Sequence, residues 1–219
     1  MISIRKASRD EPKEVLSKAI ECYVSAFSRV RVNMAAAGNS IDVLRQQGEL
    51  RLGERFSGSC NVYLAETEDK EVVGIAVWKP PMEVEDTTGT REGSGAGEAE
   101  RKILQLLPSE VSTWWQEEFV PKHKELFESS FGEQEKSAWH LAMLCVHADY
   151  QGKGIARKLT TPAMQQATSQ GRSMTLDTPS PDLVSMYERF GFQLRGQADF
   201  HVPPSMDFTV YAMLCPLKK

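Results

Sequence analysis

Hydrophobic and polar residues alternate along this chain with a period that changes several times, and each change predicts a new element. Residues 1–5 alternate with a period of two, as in a short strand, and residues 11–27 place apolar side chains at helical spacing. Residues 40–56 give a second, weaker helical pattern with two internal glycines. Two apolar runs at 61–66 and 72–78, joined by the polar link TEDKE, predict a β-hairpin.

The middle of the chain loses this regularity. Residues 80–100 combine glycine, threonine and acidic residues without apolar periodicity, which predicts a flexible surface loop. Residues 101–131 are helical in pieces that we expect to be interrupted at Pro108 and Pro121, so they predict a helical insert. Because the length favours one unit, we expect a single domain over 1–219 that includes both segments.

The last third of the chain alternates strands and helices. The apolar run WHLAMLCV at 139–146 is nearly continuous and predicts a strand covered on both faces. A helix from Ile155 to Gly171 follows, and we expect Pro162 to kink it. Further along, the pattern predicts three strands, at 173–178, 192–200 and 207–214. This order predicts an α/β or α+β fold around one sheet.

Between the first two of those strands lies a short helix with clear end signals. Ser180 is placed to cap it with its hydroxyl, Pro181 takes the first helical position, and Gly191 ends it. Its inner face is predicted to carry four apolar or aromatic residues, Leu183, Met186, Tyr187 and Phe190.

Composition and charge narrow the classes of partner. The 26 basic and 30 acidic residues leave a formal charge of −4, which argues against nucleic acid or an anionic membrane as partner. No apolar run approaches the roughly 20 residues of a membrane span, and residues 1–15 lack the apolar core of a signal peptide. The four cysteines are scattered, without metal-ligand spacing. These features predict a cytoplasmic protein with reduced thiols and no metal site.

The segment ADYQGKGIA, residues 148–156, is the first with candidate chemistry. It matches neither the GxxxxGK[ST] nor the GxGxxG phosphate-binding pattern. Its small residues open a helix directly after a strand, where backbone N–H groups and the helix dipole attract anions. Two interpretations stay open from the residues alone: a phosphate site, or a turn that requires glycine and exposes basic side chains.

The wider segment LAMLCVHADYQGKGIARKL resembles the central motif of the GCN5-related N-acetyltransferases, the GNAT superfamily. About thirty residues downstream, SMYERFGF resembles the second signature of that family. The resemblance implies a mostly antiparallel mixed sheet of about seven strands flanked by helices. It also implies that this sheet is splayed at the strand before the glycine loop, and that acetyl-CoA is the cofactor.

The resemblance also implies roles for residues at matching positions. Tyr187 matches a tyrosine that commonly protonates the leaving thiolate or lies beside the CoA sulfur. Ser180 stands where the family often has an asparagine that contacts the cofactor, and Leu183 where it often has a small alanine. The pantetheine arm is assigned to the strand at Leu144, Cys145 and Val146, and the pyrophosphate to the loop of Gln151, Gly152, Lys153, Gly154, Ile155 and Ala156.

Acyl transfer to an amine needs a proton acceptor for the amine and a proton donor for the thiolate. His140 is the candidate base, because histidine titrates near neutrality and this one lies on the strand with the pantetheine contacts. The segment HLAMLCVH also resembles the corresponding strand of serotonin N-acetyltransferase, where a histidine is thought to relay the amine proton. A structural role for His140 and a carboxylate base such as Glu66 stay open, whereas Cys145 lacks an activating base and predicts a core thiol.

Together these features predict an acetyl-CoA-dependent N-acetyltransferase that modifies a primary amine, of a small molecule, by direct attack in a ternary complex. Two alternatives stay open: a protein or peptide acceptor, and a catalytically silent CoA-binding sensor or interaction domain. We expect a monomer or homodimer. Four aromatic residues of the insert either line the acceptor pocket or pack in a core: Trp114, Trp115, Phe119 and Phe127.

Overall fold

The computed structural model describes residues 1–58, 60–81 and 96–217, so most of the loop predicted at 80–100 lies outside the described residues. The strands are β1 (Ser3–Lys6), β2 (Asn61–Glu66), β3 (Val72–Lys79), β4 (Trp139–Val146), β5 (Met174–Thr178), β6 (Gln193–Val202) and β7 (Met206–Cys215). The helices are α1 (Lys13–Phe27), α2 (Arg31–Ala36), α3 (Ile41–Ser57), α4 (Ala96–Leu106), α5 (Ser109–Trp114), α6 (Val120–Phe131), α7 (Gln134–Ser137), α8 (Ile155–Ser169) and α9 (Pro181–Phe190).

Within the described residues, seven strands form one sheet in the order β1-β2-β3-β4-β5-β7-β6. Neighbouring strands are antiparallel except for β4 and β5, which are parallel. The predicted hairpin of β2 and β3 is present, because the two strands pair along their whole length. The predicted fold class, a mostly antiparallel mixed sheet flanked by helices, is confirmed.

The parallel pair is short, and this shapes the middle of the sheet. β4 and β5 pair only from Trp139 to Leu141, which face Met174 to Leu176. β4 then continues to Val146 beside β3, and no described strand pairs with it on its other side. The predicted splay before the glycine loop is therefore present, and it opens a gap between the two strands.

The prediction that β4 is covered on both faces is wrong. Its residues alternate between buried and half-buried along the whole strand. A bulge lies in the middle, since Val77 pairs with Met143 and Trp78 with Leu141, which leaves Ala142 unmatched. The half-buried positions include Ala142, Leu144 and Val146, which border the gap, so helices alone do not cover them.

Three hydrophobic clusters hold the layers together. One lies between the sheet and the helices α1 and α3, and a second lies on the opposite face under α8 and α9. The third joins the insert of helices α4 to α6 to β6 and β7. Helices α4 to α6 occupy the segment predicted as a helical insert, and Pro108 separates α4 from α5.

Pro121, in contrast, does not interrupt the insert. It lies in the first turn of α6, which continues directly from the π-helical segment Trp115–Phe119, and the wider π turn accommodates a residue that has no backbone N–H to donate. Pro162 lies inside α8, which runs as one helix from Ile155 to Ser169.

Candidate active site

The gap between β4 and β5 opens into a cavity of about 860 Å³. Its lining combines the second half of β4, the loop before α8, the inner side of α9, and parts of α1 and α3. This size lies within the range of small-molecule and cofactor sites in proteins. The cavity therefore brings the two sequence motifs, about thirty residues apart, to one place.

The glycine loop lies at this cavity in a conformation that favours glycine. Gly152 and Gly154 both have φ of +72°, in the left-handed region. An added Cβ at either position would meet no heavy atom within 4 Å. The backbone conformation, not crowding by neighbours, therefore explains the two glycines, and space is left for a ligand to approach.

Backbone N–H groups are available in this loop. Among the described residues, the first hydrogen bond of α8 runs from the Lys158 N–H to the Gly154 carbonyl at 3.2 Å. The amides between Gly152 and Arg157 consequently have no backbone acceptor there, and they lie at the positive end of the helix dipole. The amides without a backbone acceptor, the positive end of the helix dipole and the open space around the two glycines fit a pyrophosphate group.

The basic side chains of the loop are partly occupied elsewhere. Lys153 donates to the Asp149 carbonyl at 2.9 Å and lies over the Tyr150 ring at 4.8 Å. Arg157 donates to the Arg189 carbonyl at 3.1 Å. Of the six predicted loop residues, all except Lys153 line the cavity: Gln151, Gly152, Gly154, Ile155 and Ala156. The groups of this loop that could bind an anion, called the anion cradle below, are therefore mainly backbone amides.

The three strand residues predicted to contact the pantetheine arm also border the cavity. Leu144 and Val146 are half-buried, next to the unpaired edge of β4. The Cys145 side chain instead lies in the core near Cys22, and the hydrogen bond with that thiol, together with burial, raises the pKa of Cys145. Such a thiol is a poor nucleophile, which supports the interpretation of Cys145 as a core residue.

Tyr187 of α9 is 5% exposed and lines the cavity. Burial raises its pKa, and the nearby Asp177 carboxylate raises it further. The phenol therefore keeps its proton across the physiological range, and it is available as a hydrogen-bond donor to an anion in the cavity.

Two predictions about α9 need correction. Ser180 occupies the N-cap position, but its hydroxyl makes no capping hydrogen bond, because the Leu183 N–H donates to the Ser180 backbone carbonyl at 3.1 Å instead. Leu183 is 38% exposed and so does not belong to a buried inner face. Both residues line the cavity, because the cavity runs along this helix.

His140 lies in a polar cluster on the sheet. Its Nδ1 is 3.1 Å from Thr175 Oγ1, and its Nε2 is 3.9 Å from Asp177 Oδ1. Burial lowers the pKa of His140 to about 4, despite the opposing effect of the Asp177 charge. The imidazole is therefore neutral at physiological pH, and its pKa lies below the near-neutral range expected of a histidine.

Asp177 was not among the residues singled out from the sequence. It lines the cavity at the end of β5, and His123 of the insert lies 3.4 Å away through Nε2. Burial raises its pKa, but the hydrogen bond with His123 and the nearby charges of His140 and Lys79 outweigh this, so the pKa is lowered. One sequence signal could have identified Asp177 as a candidate: it is the only charged residue in the strand segment MTLDT.

Other candidates have structural roles. Glu66 binds Arg5 at 2.7 Å and does not belong to the described lining of the cavity, so it is poorly placed as a base. The four aromatic residues of the insert pack in the third hydrophobic cluster, where Trp115 stacks on Phe119 with ring centroids 4.4 Å apart. Their arrangement supports packing over a role as pocket wall.

Comparison with known proteins identifies the class. A family model described as an acetyltransferase (GNAT) domain matches residues 120–201. Arylalkylamine N-acetyltransferase 2 from Aedes aegypti has a similar structure, with a TM-score of 0.61, 16% identity, and 99% of each chain covered. The structure of histone acetyltransferase HPA2 and related acetyltransferase from Corynebacterium glutamicum gives a TM-score of 0.60 at 16% identity, covering 100% of this chain and 97% of that one.

A third structure widens the range of acceptors among proteins of this fold. A ribosomal-protein alanine N-acetyltransferase from Escherichia coli gives a TM-score of 0.53 at 12% identity, covering 100% of this chain and 96% of that one. The family match over residues 120–201 and the fold together confirm the predicted resemblance to GNAT acetyltransferases, and they indicate an N-acetyltransferase. Among the described residues, no helix is both long and apolar enough to cross a membrane.

Proposed function

We propose that this protein transfers an acetyl group from acetyl-CoA to a primary amine of a small molecule, by direct attack in a ternary complex. The observation that carries the proposal is the continuous cavity. Its lining includes the anion cradle before α8, the unpaired edge of β4, and the side chains of Asp177 and Tyr187. Acetyl-CoA, when bound, supplies the acetyl group as an activated thioester.

The amine would be held and deprotonated by the cluster around Asp177. Its carboxylate is ionised at neutral pH and attracts an ammonium group. The neutral imidazole of His140 has a free lone pair for the proton that the nitrogen must lose. A pKa of about 4 makes His140 a weak base, but the nitrogen becomes strongly acidic once it bonds to the acyl carbon.

Tyr187 would assist the departing thiolate. Its hydroxyl is protonated throughout the physiological range and donates a hydrogen bond to the sulfur as negative charge develops there. Ser180 lines the same cavity, and its hydroxyl makes no capping hydrogen bond, so it would add a contact to the cofactor. We place the reaction in the cytoplasm, which is consistent with four cysteines scattered along the sequence without a disulfide pattern.

The small-molecule acceptor is supported by the arylalkylamine N-acetyltransferase that shares this fold, although shared fold leaves the acceptor open. The test incubates purified protein with acetyl-CoA and a panel of small amines and peptides with free N-termini. Thiol release and the product masses are followed. Amine-dependent release with small amines is expected. Release with peptides alone would reassign the acceptor, and tight CoA binding without release would indicate a sensor.

Tyr187→Phe should lower turnover about tenfold or more while leaving CoA affinity nearly unchanged, because only the donated proton is lost. Turnover is measured by thiol release, and the dissociation constant of CoA is measured by calorimetry. A loss of affinity with unchanged turnover would contradict a role at the leaving sulfur.

His140→Ala should slow the reaction most below about pH 8, where the amine most needs a proton acceptor. The matched control is His201→Ala, because His201 is an exposed histidine bound to Asp207 on the β6–β7 hairpin. A wild-type pH profile of kcat/KM in His140→Ala would exclude His140 as the base and leave water or Asp177 in that role.

A further inference from the structure

Three cationic side chains near the cavity influence one another electrostatically. Arg51 of α3 lines the cavity, and Arg55 follows one helical turn later on the same side of that helix. Lys79, at the end of β3, is the cross-strand partner of His140. The candidate base is therefore bordered by positive charge that neither acetyl transfer nor the predicted motifs require.

Arg55 is the most unusual of the three. Its Nε and Nη1 atoms are buried, and no hydrogen-bond partner reaches them among the described residues. Burial lowers its pKa, which reflects a charged group held away from water. The Cys60 thiol lies close to this half-buried side chain, but it leaves Nε and Nη1 unpaired. Buried polar groups without partners are rare in folded proteins and costly, so these two nitrogens, one helical turn from the cavity-lining Arg51, indicate a ligand that pairs with them.

Among the described residues, few acidic side chains balance this group of cations. Desolvation of the Lys79 ammonium, followed by the nearby Arg55 charge, lowers the pKa of Lys79. The carboxylates of Asp177 and Glu54 oppose this shift. The Lys79 residue as a whole is exposed. Asp177 already faces His123 and His140. Within the described residues, neither Arg51 nor Arg55 has a carboxylate within ion-pair distance.

We propose that the acceptor amine also carries an anionic group, and that Arg51 and Arg55 bind that group. The inference rests on the proposed function, since it names the class of acceptor used at the same site. The amino group would face Asp177, and the anionic group would face α3. Guanidinium groups on successive turns of one helix suit paired oxygens of a carboxylate or a phosphonate, because each forms charge-assisted, often bidentate hydrogen bonds.

The substrate test compares amines that differ only in the group opposite the amine. Butylamine, 1,4-diaminobutane and 4-aminobutanoate form one series, and 3-aminopropylphosphonate replaces the carboxylate in a second arm. We expect about ten- to hundredfold higher kcat/KM for an anionic amine than for butylamine, as charged hydrogen bonds typically give. The better anion of the two identifies the group that the arginines bind. A preference for butylamine or the diamine would overturn the proposal.

Variants of α3 test which residues bind the anion. Arg55→Gln and Arg51→Gln should raise KM for the anionic amine about tenfold or more and leave KM for butylamine and the CoA dissociation constant unchanged. Arg45→Gln is the matched control, because Arg45 lies on the same helix but binds Glu21 at the surface. An equal effect on both amines, or a loss of CoA affinity, would contradict anion recognition by these arginines. The wild-type substrate comparison decides the proposal if a variant does not fold.

Binding measurements separate this inference from the proposed reaction. Calorimetry on the wild-type protein saturated with CoA should show tighter binding of 4-aminobutanoate or 3-aminopropylphosphonate than of butylamine. Absence of turnover with every amine would refute the proposed reaction, yet such a binding preference would still support the anion site. Equal binding of anionic and neutral amines would overturn the inference whatever the turnover.

Discussion

Gly48 and Gly53 both lie inside α3, yet an added methyl group would meet different surroundings at each position. A Cβ at Gly48 would lie 2.8 Å from Cδ1 of Tyr23, and 3.3 Å from its Cγ and Cε1. The Tyr23 ring is 1% exposed and packs edge-on against Phe27 at 4.7 Å between centroids, so it has little room to move. A Cβ at Gly53 would meet nothing within 4 Å.

The two substitutions therefore share one effect and differ in another. Replacing a helical glycine with alanine stabilises a helix by about 0.8–1 kcal/mol, and this applies to both positions. Overpacking a filled interface costs about 1–3 kcal/mol, and this applies to Gly48 alone. We expect Gly53→Ala to raise the free energy of unfolding by about 1 kcal/mol and Gly48→Ala to lie about 1–3 kcal/mol below it.

Urea unfolding of both variants and the wild type, followed by circular dichroism, measures these free energies. Because the propensity gain is common, the difference between the two variants isolates the packing of α1 against α3. Tyr23 also lines the cavity, so Gly48→Ala should lower acetyl transfer as well. Equal stability of the two variants would refute the close packing described for Gly48.

Two further predictions concern the cradle and the polar cluster. Gly154→Ala forces a side chain into the left-handed region, at a cost of about 1–2 kcal/mol, and should weaken CoA binding measured by calorimetry. Gly171→Ala, with φ of +63° and no cavity contact, should cost similar stability without changing CoA affinity, and an equal loss of affinity would argue against the cradle. Burial lowers the pKa of His140 from 6.5 to about 4, so between these values the unfolded chain binds more protons than the folded protein. The free energy of unfolding should therefore decrease as the pH falls through this window, by up to about 3 kcal/mol, and His140→Gln should flatten the dependence in urea titrations from pH 7.5 to 4.5. An unchanged slope in that variant would show that other groups carry the effect.

The elements that the sequence predicts well are those whose signal is local. The hairpin of β2 and β3, the helix α8 and the glycine loop each depend on spacing within a few residues, and the structure contains them. The spacing of Gly152 and Gly154 between a strand and a helix left a phosphate site and a turn equally open, and the resemblance to the GNAT motif favoured the phosphate site.

The features that sequence reasoning missed depend on contacts between distant parts of the chain. Asp177 gains its environment from His123 and His140, which lie 54 and 37 residues earlier in the chain. In the sequence Arg55 is an ordinary helical arginine, but once α3 packs in the fold, two of its nitrogens have no hydrogen-bond partner among the described residues. The half-buried side of β4 could not be predicted from its apolar sequence either, because apolar side chains line a ligand cavity as well as pack against a helix.

The gap in the sheet would also make the stability of the folded protein depend on the concentration of the ligand that fills it. Beyond Leu141, no strand in the described part of the chain pairs with β4 on the β5 side, and a cofactor arm lying there would be held only by the folded protein. A ligand that binds the folded state alone adds about 2.7 kcal/mol to the free energy of unfolding at a hundredfold excess over its Kd. With CoA as that ligand, the amount of this protein that survives proteolysis in a cell would rise and fall with the CoA pool.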